Sequence, residues 1–285
     1  MGTFYLSLCC IGDPSQGILM KLFNGRSKSL FSAIATLLAG ITVLILSGFN
    51  LNFSADILFH AIFFGVMMAT CTFSFCKALG RGSLSFSALI VALSLIVPAF
   101  YGIILGDKPS SFFFVGLAIL IVAIVLINLD FDKTENKQKS KLDWLWVIFI
   151  SLAFLGNGVA CCINTDFSKT FNGEYTYEML LIAFTVSSFL QFIPAIFTDR
   201  KTFKEDKKQL FILTPLWGLC NGTTNSCVIL AIAEGVMASV LFPVVSGVSM
   251  TISFVVSALV FKEKFKPLKF VGFSLGILSV ILLNL

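Results

Sequence analysis

The sequence predicts an all-α integral membrane protein: ten transmembrane helices arranged as two inverted five-helix repeats. Three observations carry this reading. The 285-residue chain is 57% hydrophobic and 12% charged, with a mean hydropathy of +0.97, whereas a soluble domain carries about 25% charged residues. Apolar runs close to the ~20 residues that a helix needs to cross hydrocarbon recur along the whole chain, separated by short polar breaks. And one stretch of the middle, 105–129, returns without a gap at the end, 261–285.

The spans fall at 4–23, 30–47, 57–79, 84–105, 112–129, 144–164, 177–197, 210–233, 238–261 and 268–285. Their length, and the absence of period-two alternation, make them helices rather than barrel strands. The first is broken in its middle by the polar run "CCIGDPSQG", Cys9 to Gly17. The second and third are apolar runs that stop at Gly48 and at Gly80-Arg81, and the fourth contains Pro98. The fifth, "FFFVGLAILIVAIVLINL", is apolar almost throughout. Trp144 and Trp146 open the sixth, and Tyr175 and Tyr177 lead into the seventh, as interfacial anchors. The eighth follows the charged stretch 199–209, the ninth contains Pro243, and the tenth begins after Pro267. The two long polar stretches, 130–143 and 199–209, read as solvated charge runs, and the first is the linker between domains 1–129 and 144–285.

Lys and Arg set the orientation. Eighteen of the twenty lie in odd-numbered loops, and Lys108 and Lys169 alone lie in even ones. The positive-inside rule then places the odd loops in the cytoplasm and both termini outside. The expected location is the plasma membrane, multi-pass, in a bacterial cell.

In the repeat, 8 of 25 aligned positions are identical, including Lys108/Lys264, Phe114/Phe270, Val115/Val271, Gly116/Gly272 and Asn128/Asn284. Each half holds five spans, and an odd count forces the halves to cross in opposite directions. The charges agree: the turn at Asp107-Lys108 is nearly free of basic residues, and its copy at 262–269 carries four. Inverted repeats of this kind recur in secondary transporters, with the substrate site between the halves near the midplane.

Five plus five spans, the duplicated unit, and "SALVFKEKFKPLKFVGFSLGILSVILL" with Glu263-Lys264, Pro267 and Gly272 resemble the drug/metabolite transporter superfamily, EamA type. In the first half Asp107-Lys108 and Pro109 stand for the same pattern. The resemblance covers nearly the whole chain. It implies a small-molecule transporter and leaves the substrate open.

Other classes find little support. Basic residues are scattered in short loops, which argues against nucleic-acid binding. No G-x-x-x-x-G-K-[ST] loop exists to bind ATP. His60 is the single histidine, and no H-E-x-x-H motif or paired acids lie in a span, so neither a metal nor another cofactor is expected. The eight cysteines all fall in apolar runs without zinc or disulfide spacing and read as small membrane-helix residues. The N-terminus has no basic stretch before Phe4 and does not read as a cleaved signal peptide.

Polar groups inside spans are costly and face a cavity or another helix. The candidates to line a substrate cavity are Asp13 and Gln16 in the first span, Ser94 and Pro98 in the fourth, and Asn157 and Asn164 in the sixth. The eighth span adds Asn221, Thr224 and Asn225, and the ninth Pro243, Ser246 and Ser249. Asn221 and Asn225 are four apart and share a helix face. Each proline frees a backbone carbonyl. The competing use of the amides is to hold helices together. Gly218/Gly222 and Gly272/Gly276 form G-x-x-x-G faces, which suit close packing or, for the last span, a homodimer. Asp13 sits about halfway through a ~30 Å crossing. It faces a cavity, belongs to a kink made by Pro14, or marks a distorted or re-entrant first segment.

The expectation is therefore a transporter rather than an enzyme. It moves a small metabolite by alternating access, with Asp13, the one acid deep in a span, as the residue a proton-coupled cycle would use. The alternatives are a sugar or nucleotide-sugar carrier of the same superfamily and, from another class, an intramembrane lipid-processing enzyme or a non-transporting membrane subunit. The expected partners are the lipid bilayer and the small-molecule substrate.

Overall fold

The structure is a computed structural model that describes residues 1–81, 87, 90–91, 93–128, 144–199, 202–260 and 267–283. Among these are ten α-helices, one 3-10 turn and no strand. The helices are α1 (Gly2–Leu22), α2 (Lys28–Leu46), α3 (Leu58–Leu79, entered through the 3-10 turn Ala55–Ile57), α4 (Ile96–Ile104) and α5 (Ser111–Asn128), followed by α6 (Trp144–Phe171), α7 (Thr176–Thr198), α8 (Phe203–Ala233), α9 (Ala238–Leu259) and α10 (Pro267–Leu283). The linker 130–143, the copied turn at 262–266 and Asn284 lie outside the described residues.

Among the described residues, five segments are long and apolar enough to cross a membrane: Lys28–Leu46, Ala55–Leu79, Trp144–Phe171, Thr176–Thr198 and Phe203–Ala233. Shorter apolar stretches lie at Ser111–Ala123 and Ala238–Ser253. Large apolar side chains stand on the outside of the bundle, among them Phe197 at 83% exposure and Phe211 at 82%. Water does not tolerate a continuous apolar surface of that kind, but hydrocarbon does.

Three sequence expectations need correction. The kink-or-break reading at Pro14 included an interrupted first segment, but α1 runs without interruption from Gly2 to Leu22, with Pro14 buried inside it. The sixth span does not stop at residue 164: α6 continues for two more turns to Phe171. The stretch 199–209 is not simply a solvated charge run. From Phe203 on it is the start of α8, and Asp199 is 3% exposed. Asp199 and Asp206 accept hydrogen bonds from the backbone N–H groups of Leu30 and Ser27, both at 2.8 Å. The first N–H groups of a helix have no partner within it, and α2, whose flanking Ser27 makes no side-chain cap, takes these two carboxylates instead. Glu178 does the same for the chain leading into α3, accepting from Asn52 N–H at 2.7 Å.

α2 packs on α7 and α8, and α3 packs on α6 and α7. α1 lies against α8 and α9, α6 also touches α4, and α9 touches α4 and α10. α10 runs along α5. A core of Phe31, Phe64, Phe167, Phe184 and Trp217 fills the space among α2, α3, α6, α7 and α8. Two seams bring backbones together. A β-carbon at Gly218 would come within 2.8 Å of the Ala39 nitrogen, and one at Gly222 within 2.7 Å of the Ala39 carbonyl oxygen. Both glycines of that G-x-x-x-G face are therefore used inside the molecule, between α8 and α2. A β-carbon at Gly156 would lie 2.8 Å from the Cys71 nitrogen, between α6 and α3. All eight cysteines are free.

Candidate functional site

The polar residues buried along the helices are joined across them. Asp13 and Gln16 are three residues apart, so they share a face of α1. Ser249 Oγ of α9 donates to Asp13 Oδ2 at 2.6 Å. Asn221 Nδ2 of α8 donates to Gln16 Oε1 at 2.6 Å. Gln16 Nε2 points to Thr224 Oγ1 and to the carbonyl of Gly12, both at 3.4 Å. The two helices pass closely at Gly12, where any side chain would collide with the Thr224 hydroxyl.

The network continues into α6. Asn225 Nδ2 donates to the Asn221 carbonyl at 3.0 Å, and Asn164 Nδ2 donates to Asn225 Oδ1 at 3.2 Å. Two turns before Asn164, Asn157 Nδ2 donates to Ser94 Oγ at 2.8 Å, and Ser94 Oγ donates in turn to the carbonyl of Val91 at 2.6 Å. Asp13, Gln16, Asn157, Asn225 and Ser249 are half-buried, while Asn164, Asn221 and Thr224 are buried.

Nine of the twelve candidate residues thus enter these contacts. Pro98, Pro243 and Ser246 are buried in α4 and α9 and take no part in the bonds just described.

A second cluster, at the C-terminal end of α6, was not anticipated. Asp166 takes His60 Nε2 of α3 at 3.0 Å on Oδ2 and the Tyr101 hydroxyl of α4 at 3.1 Å on Oδ1. One turn on, Lys169 Nζ meets Asp107 Oδ1 at 2.6 Å, and Asp107 Oδ2 accepts the N–H of Ser239, at the start of α9, at 3.0 Å. The signal was present: "INTDFSK" carries Asp166 and Lys169 three apart. Ending the sixth span at 164 left both in a loop. Among the described residues, no group of three His, Cys, Asp or Glu side chains is placed to hold a metal.

No family model and no curated protein matches this chain. Solved structures share the fold: one superposes with a TM-score of 0.77 over 99% of this chain and 95% of the other, at 10% identity. A likeness at that identity carries the fold alone.

Proposed function

We propose that the chain is a secondary transporter of EamA type: ten spans in two inverted five-helix halves that pass a small metabolite by alternating access, in the plasma membrane of a bacterial cell. The observation that carries this reading is where the mid-depth hydrogen bonds run. Asp13 to Ser249, Gln16 to Asn221 and Ser94 to Asn157 each join a residue before the linker to one after it. A solute held there would touch both halves, and a rocking of one half on the other would move the site's exposure from one side of the membrane to the other.

The packing supports the repeat. Exchange each helix for the one five places along, and α3 on α6 becomes α8 on α1. Likewise α2 on α8 becomes α7 on α3, and α1 on α9 becomes α6 on α4, while α2–α7, α4–α9 and α5–α10 map onto themselves. All of these are pairings of the fold. The 156-residue offset in the sequence also pairs α5 with α10.

Purified protein in liposomes, tested for counterflow with amino acids, amines, nucleosides and sugars, tests the function; sugars or nucleotide sugars alone would favour the carrier alternative. Absence of counterflow by a folded protein across the panel would remove the transport reading. The orientation has its own test. A reporter enzyme active only outside the cytoplasm, fused after Leu285, is expected to be active, and activity at a fusion near Lys137 instead would reverse the topology.

A further inference from the structure

The direction of each hydrogen bond at mid-depth is set by groups that can only accept. A backbone carbonyl has no proton to give. Asn225 therefore turns its NH2 to the carbonyl of Asn221, which leaves Asn225 Oδ1 to receive, and so Asn164 must present its own NH2 to it. The relay ends at Asn164 Oδ1, which is buried and has no donor. The second relay runs the same way. Gln16 gives its NH2 to the carbonyl of Gly12 and to Thr224, Gln16 Oε1 receives from Asn221, and Asn221 Oδ1 is left buried with no donor. Flipping Asn225 or Gln16 would set an oxygen against a backbone oxygen, and flipping Asn164 or Asn221 would set it against a side-chain amide oxygen. Asn164 is 1% exposed and Asn221 2%, so bulk water does not cover these oxygens, and a buried acceptor left unmet is costly.

The third group is a carboxylate. Asp13 is half-buried on the face of α1 that carries Gln16, with Ser249 on one oxygen. No Lys or Arg lies in the middle of any span of the sequence. The cations seen near the bundle stand at helix ends, as Lys169 does on Asp107. The site therefore carries one carboxylate, two buried oxygens without a donor and no cation.

We propose that this site selects a small primary amine in its protonated form. The ammonium group faces Asp13, and N–H groups of the same solute supply the donors that Asn164 Oδ1 and Asn221 Oδ1 lack. An anion would meet the carboxylate and two lone oxygens, and an alcohol brings a single proton and no charge. This rests on the transport reading only for the route by which the solute arrives.

The test uses four-carbon probes of matched size on the full-length protein in detergent: n-butylamine, n-butanol and butyrate, with sodium chloride as a fourth. Thermal unfolding is read for the native protein, for Asp13→Asn and for Asn164→Leu. At about five times its Kd, n-butylamine is expected to raise the Tm by roughly 2–4 °C. The alcohol and the acid are expected to do nothing. The shift is expected to vanish in Asp13→Asn and to fall by half or more in Asn164→Leu.

The proposal is overturned if no probe stabilises the native protein, in which case trapped water meets the lone oxygens. It is also overturned if butanol or butyrate matches the amine, if sodium replaces it, or if Asp13→Asn retains the full shift. Should Asp13→Asn fail to fold, Asn164→Leu and Asn221→Leu decide, and an undiminished shift in both overturns it. Counterflow in liposomes separates the two readings. Stabilisation by the amine with no counterflow keeps the ligand class and removes transport. Counterflow of neutral or anionic solutes with no amine shift keeps transport and removes the ligand class.

Discussion

At the C-terminal end of α6, charge meets charge. Asp107 has Lys169 and a backbone N–H, and Asp166 has His60 and Tyr101. At mid-depth, neutral amides meet one another, one carboxylate meets a hydroxyl, and two oxygens are left over. The two regions share α6 and α9, and each leaves polar atoms unmet: His60 Nδ1 and Ser239 Oγ in the first, Asn164 Oδ1 and Asn221 Oδ1 in the second. What differs is how the carboxylates are met. Asp107 has a cation and a backbone N–H, and Asp166 a ring nitrogen and a phenol, whereas Asp13 is met by one hydroxyl and no cation.

Substitutions can separate the two regions. The largest effect is expected from Asn221→Leu or Asn225→Leu, with a loss of counterflow of about tenfold or more, since each removes an interhelix amide worth up to about 2 kcal/mol together with its part in the site. Expression is expected to stay near normal. Lost expression with unchanged transport per folded molecule would make the amides structural and erase the contrast.

Next comes Asp13→Asn, in which the amide keeps the size of the carboxylate and removes the charge. Dependence on a pH gradient is expected to disappear; exchange of a neutral solute is expected to persist, and exchange of an amine to be lost with the carboxylate that faces it. Full pH-gradient dependence in that variant would take Asp13 out of the coupling, and a larger effect from Pro14→Ala would make the stretch a matter of backbone shape.

At the other region, Lys169→Met leaves the Asp107 side chain, 6% exposed, with its backbone partner alone. The expected cost is about 1–3 kcal/mol of stability, seen as a lower Tm, with transport per folded molecule changed far less than in Asn221→Leu. Tyr101→Phe removes one of two bonds to the better solvated Asp166 and is expected to cost about 0.5–1.5 kcal/mol.

The helices were legible because hydropathy over a window of span length survives errors of a few residues. Their ends were not. Residues 165–171 and 203–209 are polar turns that extend α6 and α8 beyond the apolar runs, and composition alone cannot tell such a turn from a loop. The reading of 199–209 failed for a related reason: nothing local in "DRKTFKEDKKQ" says that the first N–H groups of α2 arrive beside Asp199 and Asp206. At the site, residue types at mid-depth were readable from the cost of burying them, and the four-residue spacing of Asn221 and Asn225 was readable from the helix repeat. Which amide faces which, and hence which oxygen is left over, depends on how α1, α6 and α8 lie side by side. That is a property of distant segments, and the sequence carries it only jointly.

The contact of Gly218 and Gly222 with Ala39 also has a mechanical meaning. Where two backbones touch through missing side chains, the repulsion rises within tenths of an ångström, so the α2–α8 seam is stiff against both rotation and sliding. A one-turn ratchet of about 5.4 Å along that seam would bring Thr214 or Ser226, four residues beyond the two glycines, against the α2 backbone at a place where a β-carbon does not fit. The seam joins helices from opposite sides of the linker, so a rocking of the halves has to hinge there. On the transport reading proposed above, the displacement that changes access would fall to seams without such backbone contact.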